Sequence, residues 1–489
     1  MKTSWLGLLM VLIVAPMRSQ YAEDVLRFSQ MGLGVGASSL ARGNASVALA
    51  DDYSALFWNP AGLAQLRSYE FNVGLSYTGY ENTTRFLGTR TDASNSSLTL
   101  NSLGLVYPVP TVQGSLTFAF GFNRVSNYTS MTEFSGFNAV SSMIPSMLPS
   151  VDLSTLSQQE ENDLLDNNIP YQLYLADISN NRLETSITQN VQQSAVVKEG
   201  GGVNHWAFGG AIDVARDLSL GASISIVSGA YRYDREYTEE DVFNNYQRAP
   251  GDTLGLFDKF WLISTINSDL TGFNALFGLH YRKQGKFRIG FTVRTPTYYT
   301  INETFSDEAR SRFDPNMDGV VDEFDMAFDG KTEYKVVTPV AVTFGGAFQL
   351  QEWFTFSGDV EYTDWREMRF NTSLSELEAE NRLIQNIYKP TFNLRGGVEI
   401  AFWDSGLKLR GGVAYKPSPY EGDPPEFNQR YYTAGVGFQL DNNVSLNVGY
   451  AYGNWKTFRD NYYDSGIAPS RTSENVKTHN GVVSMAFRF

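Results

Sequence analysis

The chain has 489 residues, a formal net charge of -15 and no cysteine. That charge excludes a nucleic-acid binder, which needs a basic surface, and the missing thiols exclude a disulfide framework and a thiolate metal site. Hydrophobic content is 42%, and no stretch beyond the first twenty residues is apolar enough for a membrane helix, which needs about 20 apolar residues.

Lys2 precedes the apolar run Leu6 to Ala15, which has the form of a signal-peptide core and is too short to span a bilayer. Cleavage is expected near Ser19 to Ala22, so residues 1–22 are read as a signal peptide. Residues 23–68 are rich in Gly, Ala and Ser and lack strand-length alternation. Their glycines, in Met31-Gly32-Leu33-Gly34-Val35-Gly36, are not a dinucleotide fingerprint, because no strand precedes them and the third glycine is misplaced. This segment reads as a plug folded into the lumen of a barrel built by residues 69–489. It contains Ala50-Asp51-Asp52-Tyr53-Ser54-Ala55-Leu56-Phe57-Trp58-Asn59-Pro60-Ala61-Gly62-Leu63-Ala64. Pro60 fixes its own φ and pushes Asn59 away from helix, and an asparagine there can cap or brace a turn.

From 69 to 489 the pattern is that of β-hairpins. Val444 to Tyr452 places an apolar or aromatic residue at every second position, and Val483 to Phe489 repeats this; successive side chains on a strand face opposite ways. Fourteen strands are expected: 69–80, 97–108, 115–125, 204–214, 218–234, 272–282, 286–302, 332–349, 354–366, 391–402, 407–417, 431–440, 444–455 and 476–489. Six short turns alternate strictly with seven longer connections. That is the bookkeeping of an all-β, 14-stranded antiparallel transmembrane β-barrel with both termini in the periplasm. Aromatics at 14%, with 27 Tyr and 33 Phe, suit interfacial girdles, and the 43 glycines suit strands that bend or face a crowded lumen. Secretion followed by such hairpins implies the outer membrane of a Gram-negative bacterium, a monomer surrounded by outer-membrane lipid. The terminal aromatic Phe489 would be the handle for the barrel-assembly machinery.

The pleat sorts the two faces. Leu116, Phe118, Phe120 and Phe122 should meet lipid, as should Phe287, Ile289, Phe291 and Val293. Arg288, Arg294, Asp359, Glu361, Arg395, Glu399, Lys408, Arg410 and Arg488 should point into the lumen, because a basic residue at the lipid midplane costs a few kcal/mol. Two readings of these charges stay open, a lattice bracing the wall and a guide for substrate.

The A-D-D-x-S-A-x-x-x-N-P-A-G-L-A stretch after a glycine-rich leader resembles the hatch of the FadL/TodX family, outer-membrane transporters of long-chain fatty acids and other hydrophobic compounds. The family's barrel has the strand number counted above. The resemblance implies passive uptake: capture on extracellular loops, a lumenal pocket, hatch movement and sideways release. It assigns hatch or gating roles to Asp51, Asp52, Trp58, Asn59, Pro60, Ala61 and Gly62, with Asn59-Pro60-Ala61 as the signature; anchoring and gating both fit these residues. The family's lateral opening lies beside a kink in the third strand, and here that strand offers Gly121 and little else to break its pairing. An alternative comes from related barrels of the PorV kind, which carry a similar hatch and shuttle proteins in type IX secretion.

Two loops stand out. Residues 126–203 contain Val140, Met143, Ile144, Met147 and Leu148, unusually apolar for a loop, and a partly helical stretch from Leu153 to Leu175. Exposed apolar patches usually bind something, and packing of the loop on itself is the competing explanation. In loop 303–331, Asp314, Asn316, Asp318, Val320, Asp322 and Asp325 fall at EF-hand ligand positions, with Gly319 at the sharp turn. A structural calcium ion is therefore expected, as a clamp and not a sensor, since the loop occurs once. No enzyme is expected: there is no Walker A loop, no G-x-S-x-G elbow and no His-x-x-x-His pair, and His205, His280 and His479 are far apart in sequence.

Overall fold

A computed structural model describes residues 21–246, 256–283, 286–314, 321–462 and 470–489. The core of the signal sequence therefore lies outside the described residues. Fourteen antiparallel strands form the wall. They are β1 (Glu70–Phe86), β2 (Thr89–Val109), β3 (Leu116–Asn127, continued as Ser130–Asn138), β4 (Val191–Ala215), β5 (Leu218–Glu240) and β6 (Leu256–Lys283). Next come β7 (Phe287–Arg294, continued as Tyr298–Asp314), β8 (Asp322–Val337, continued as Ala341–Gln351) and β9 (Phe354–Asp364). The rest are β10 (Pro390–Phe402), β11 (Leu407–Lys416), β12 (Gln429–Gln439), β13 (Val444–Tyr462) and β14 (Ser470–Arg488). Strand β14 pairs with both β13 and β1, which closes the barrel. Phe489 extends that closure, exchanging two backbone hydrogen bonds of 3.1 Å with Tyr69.

Several strands run much further than their sequence suggests. β4, β5 and β6 have 25, 23 and 28 residues, against 10 and 11 for β11 and β12. Crossing the hydrocarbon takes about 9–11 residues, so one side of the wall stands far above the membrane while the other stops at its surface. Residues 81–96, expected as a loop, are a tight hairpin turning at Leu87-Gly88, both with positive φ. Most of 303–331 is likewise strand. The reason is solvation. Above the membrane the outward face is wet, so both faces carry polar residues and the apolar alternation that marks a lipid-facing strand vanishes.

The segment between β3 and β4 caps the mouth. Helix α4 (Gln158–Asp166) starts in a capping box of Ser157 and Glu160, and α5 (Ile169–Gln172) follows. Met143, Ile144 and Met147 are buried against Phe86, Phe134 and Leu173, while Val140 stays 62% exposed. The apolar stretch therefore packs mainly on the cap itself, and Met143 and Met147 also roof the lumen.

Candidate functional site: the hatch and the lumen

Residues 21–66 fold inside the barrel as α1 (Tyr21–Ser29), α2 (Ala37–Ala41), α3 (Ala55–Trp58) and a 3-10 turn, Pro60–Gln65. Every residue from Val35 to Ala50 is buried. So tight a fit requires that the wall carry no side chains where the hatch backbone touches it. A Cβ added at Gly221 would lie 2.3 Å from Ala61 N, and one at Gly278 would lie 2.1 Å from Asn59 Oδ1. At Gly290 it would meet Val47 O at 2.2 Å, at Gly397 Arg42 O at 2.4 Å, and at Gly449 Ala37 O at 2.4 Å. Glycines on five strands thus form a collar that only a bare backbone can provide.

Within that collar, side chains pin the hatch. The Asp359 carboxylate of β9 accepts from the N–H groups of Ser46 (2.8 Å) and Val47 (3.0 Å). The Glu70 carboxylate of β1 accepts from Tyr53 N (2.8 Å) and from Arg488 Nε (2.9 Å), which ties the hatch to the strand closure. Arg42 of the hatch shares Glu399 with two wall cations, at 2.9 Å from Arg42, 2.7 Å from Arg410 and 3.7 Å from Lys408. Charge-assisted bonds of this kind contribute about 1.5–3 kcal/mol each. Glu361 instead pairs with Arg395 at 2.8 Å, and Arg395 lies over the Trp58 ring at 5.4 Å. Arg294 donates to Phe57 O at 3.0 Å and covers that ring. Arg288 lines a charged periplasmic vestibule of about 740 Å³ together with Lys408, Arg410 and Arg488. The lumenal charges thus bind the wall largely to the hatch, beyond bracing the wall to itself.

The Asn-Pro-Ala signature sits where hatch meets wall. Asn59 is fully buried in an extended conformation and Pro60 opens the 3-10 turn. The Asn59 amide donates to Val47 O (2.8 Å) within the hatch and to Leu279 O (3.1 Å) on β6, while its Oδ1 accepts from Ala61 N (3.1 Å). Asp52 caps the turn beneath it by accepting from Ser54 N at 2.8 Å. Asp51 lines the vestibule, and Gly62 is forced by Ala50 O, which a Cβ would meet at 2.3 Å.

The third strand does break, contrary to its unpromising sequence. Its ladder with β2 ends at Ser102↔Asn123. Val125 is bulged out of the pairing with β4, and Tyr128-Thr129 interrupts the strand. Beyond the break, β3 bonds across β2 to side chains of β1: Asn82 Nδ2 to Thr132 Oγ1 at 3.1 Å and Thr84 Oγ1 to Glu133 O at 2.6 Å. The upper arm therefore lies on the lumen side of β2. The signal was in the neighbouring strand, where Gly201 and Gly202 adopt φ of 97° and 156°, conformations that suit glycine.

Across this interruption runs the glycine-rich leader. Gly32 N donates to the bulged Val125 O at 2.9 Å, and Gly36 N donates to Asn101 Oδ1 of β2 at 3.1 Å. From the opposite wall Lys416 Nζ donates to Met31 O and Gly32 O, both at 3.0 Å. Trp58 Nε1 donates to Val35 O at 2.9 Å. Above the leader lies a cavity of about 1580 Å³, bordered by Trp58, Asn101, Val125, Tyr231 and Lys416. Helix α1 leans into it with Arg27 stacked 4.4 Å from the Tyr231 ring and ion-paired to Asp24. Burial pushes the Asp24 carboxyl up to about 7, against the pull of Arg27.

Of the calcium ligand set, Asn316, Asp318 and Val320 lie outside the described residues. Asp314 ends one arm of β7, and Asp322 and Asp325 stand on β8 opposite Phe313 and Arg310. An odd spacing on a strand puts Asp322 and Asp325 on opposite faces, so the structure does not bring these two together. His205, His280 and His479 stand on β4, β6 and β14, and none hydrogen-bonds to another.

Residues 202–489 match the family model described as outer membrane protein transport protein (OMPP1/FadL/TodX). No curated protein sequence matches the chain. Among solved structures, a Pseudomonas aeruginosa FadL homologue is 13% identical, with 94% of this chain and 99% of that chain covered and a TM-score of 0.57. The toluene transporter TodX of P. putida is 14% identical over 94% and 99%, with a TM-score of 0.55. These likenesses are likenesses of fold; with the family model spanning more than half the sequence, the chain belongs to the OMPP1/FadL/TodX family of Gram-negative outer-membrane transport proteins.

Proposed function

We propose that this protein takes up hydrophobic compounds, long-chain fatty acids among them, by passive diffusion through the outer membrane. A solute collects beneath the extracellular cap, settles in the large cavity above the leader, and leaves sideways between β2 and β3 once the leader shifts. The observation that carries this reading is the leader's position: Gly32 and Gly36 bond to both strands at the place where their ladder ends. A polar solute has no comparable route, because the hatch fills the lumen below with buried backbone and paired charges. The shuttle alternative gains nothing, since the family match is to transport proteins. No catalytic step is part of this reading.

Two subsidiary readings accompany it. Residues 1–22 act as the signal peptide, and Phe489 addresses the barrel to its assembly machinery. A calcium ion clamps the β7–β8 tip through Asp314, Asn316, Asp318 and the Val320 carbonyl, with one of Asp322 and Asp325 at most joining them.

The test is the double substitution Asn59→Ala, Pro60→Ala, which frees the hatch at β6. In a host lacking its own transporter, at matched barrel levels, uptake of oleate should change far more than uptake of a disaccharide. Equal and unchanged uptake of both would remove the transporter reading.

A further inference from the structure

The wall has a second interruption, and it lies away from β2 and β3. Strand β8 pairs with β9 from Gln351↔Phe354 up to Ala341↔Thr363. Above that, β9 turns inward at Asp364, and among the described residues Asp322–Lys335 has no strand beside it on that side. Prolines mark the level. Pro296 interrupts β7 and Pro339 interrupts β8, and neither has an N–H for the ladder. Strands β7 and β8 hold together regardless, because Thr338 N donates to Thr297 O (3.1 Å) and Thr338 Oγ1 accepts from Thr297 N (2.8 Å). Between β8 and β9 no such repair occurs among the described residues.

What covers the seam is the segment Trp365–Tyr388, which includes α6 (Ser375–Ile387). It meets β8 in only a short stretch of ladder, the residue pairs Val336↔Phe370 and Val337↔Arg369, with Asn371 N donating to Lys335 O (2.8 Å) and Glu367 accepting from Val340 N (3.2 Å); apolar packing does the rest, the Phe370 ring lying 5.9 Å from that of Tyr334. Met368, Phe370, Ile384 and Tyr388 form its buried apolar side. Leu374 and Leu383 are left 64% and 41% exposed. Directly inside, Thr338, Pro339, Thr363 and Trp365 border the main cavity. The height is set by β9, whose 11 residues are about the number that crosses the hydrocarbon. The seam therefore opens at the outer-leaflet edge.

We propose that this seam is a side entrance to the lumen, closed by Trp365–Tyr388, through which neutral apolar solutes dissolved in the outer leaflet reach the cavity without passing the extracellular cap. The inference rests on the transport reading and adds the route of entry. Apolar contacts on the inner side of the cover favour a solute without charge, since an ion would have to shed its water there. A solute already in the leaflet needs no transfer through water at all.

The test uses the absence of native cysteine. Lys335 and Asn371 face each other across one backbone hydrogen bond, a geometry with Cα atoms about 5.5 Å apart that suits a disulfide. The Lys335→Cys, Asn371→Cys protein, expressed in a host without its own transporter, is compared oxidised and reduced for uptake of pyrene; the reduced form controls for assembly. The oxidised protein should lose pyrene uptake down to the level of cells without the barrel, and reduction should restore it. If oxidised and reduced protein take up pyrene equally while Asn59→Ala, Pro60→Ala still alters uptake, solutes enter through the cap and the side entrance is wrong. If neither change alters pyrene uptake, the transport reading itself falls and this inference with it.

Discussion

Between β2 and β3 the ladder stops at Ser102↔Asn123 and a piece of the hatch lies across the interruption, whereas between β8 and β9 it stops at Ala341↔Thr363 and an extracellular segment does the covering. The first break is made by a bulge at Val125 and by glycines in the adjacent strand; the second is made by prolines and by an inward turn. The first is bridged by main-chain bonds to Gly32 and Gly36, which belong to the same unit as the Asn59 anchor. The second is filled by apolar side chains, Met368, Phe370, Ile384 and Tyr388, which share one buried core with Val25 and Leu26 of α1. The Asn59-anchored part of the hatch should therefore control the first break strongly, while the second should answer to α1 alone.

The severest way to break that asymmetry is to expel the hatch. Gly278→Leu places a side chain where Asn59 Oδ1 now sits, 2.1 Å from the added Cβ, and an overlap of that kind in a packed interior costs about 1–3 kcal/mol or more. Limited proteolysis should then cleave between residues 27 and 66 in an otherwise assembled barrel, while the Trp365–Tyr388 segment stays protected. Cleavage at both places would show that the two covers are one unit.

A smaller, cleaner perturbation is Lys416→Met, which removes both bonds to Met31 O and Gly32 O and keeps the bulk. Loss of a charged donor here should weaken leader docking by about 2 kcal/mol, read as a rise of up to about thirtyfold in uptake of an apolar solute. No change in uptake would mean that the leader is held by other contacts.

Smaller still is a pH effect. The Asp24 carboxyl is raised by burial to about 7, so the docked helix favours the protonated acid. Its contribution to docking is complete below the unfolded carboxylate pKa and declines as pH climbs toward and past 7. Exchange of the α1 amides, corrected for intrinsic rate, should be faster at pH 8 than at pH 6, and Asp24→Asn should abolish the difference. The least effect on transport is expected from calcium. Calorimetry should detect binding to the intact barrel that Asp318→Ala removes, with apolar uptake unchanged.

Much of this architecture was legible in the sequence. Strand number followed from the alternation of short and long connections, because lipid imposes an apolar face on each membrane crossing. The hatch was legible from its small residues and from Asn59-Pro60-Ala61, although the reason for the wall glycines emerged only when Gly221 and Gly278 were seen to face Ala61 and Asn59. The tall wall was not legible, since strands such as Thr89–Ser97 and Glu303–Asp314 are wet outside and carry no dyad pattern. Nor was the break in β3, whose cause lies in Gly201 and Gly202 of its partner, more than seventy residues away in sequence. Pairing between strands is a property of two segments, and a reading that takes each segment alone misses it.

On the proposed route the leader bars the opening between β2 and β3, and a covalent tether can hold it there. A Cβ at Gly32 would lie 3.5 Å from Ser126 Cα, within reach of a disulfide, and the chain has no other cysteine to compete. The Gly32→Cys, Ser126→Cys protein should bind an apolar fluorophore in its cavity whether oxidised or reduced, yet release it to the membrane only when reduced. Release at the same rate from the oxidised protein would contradict the account.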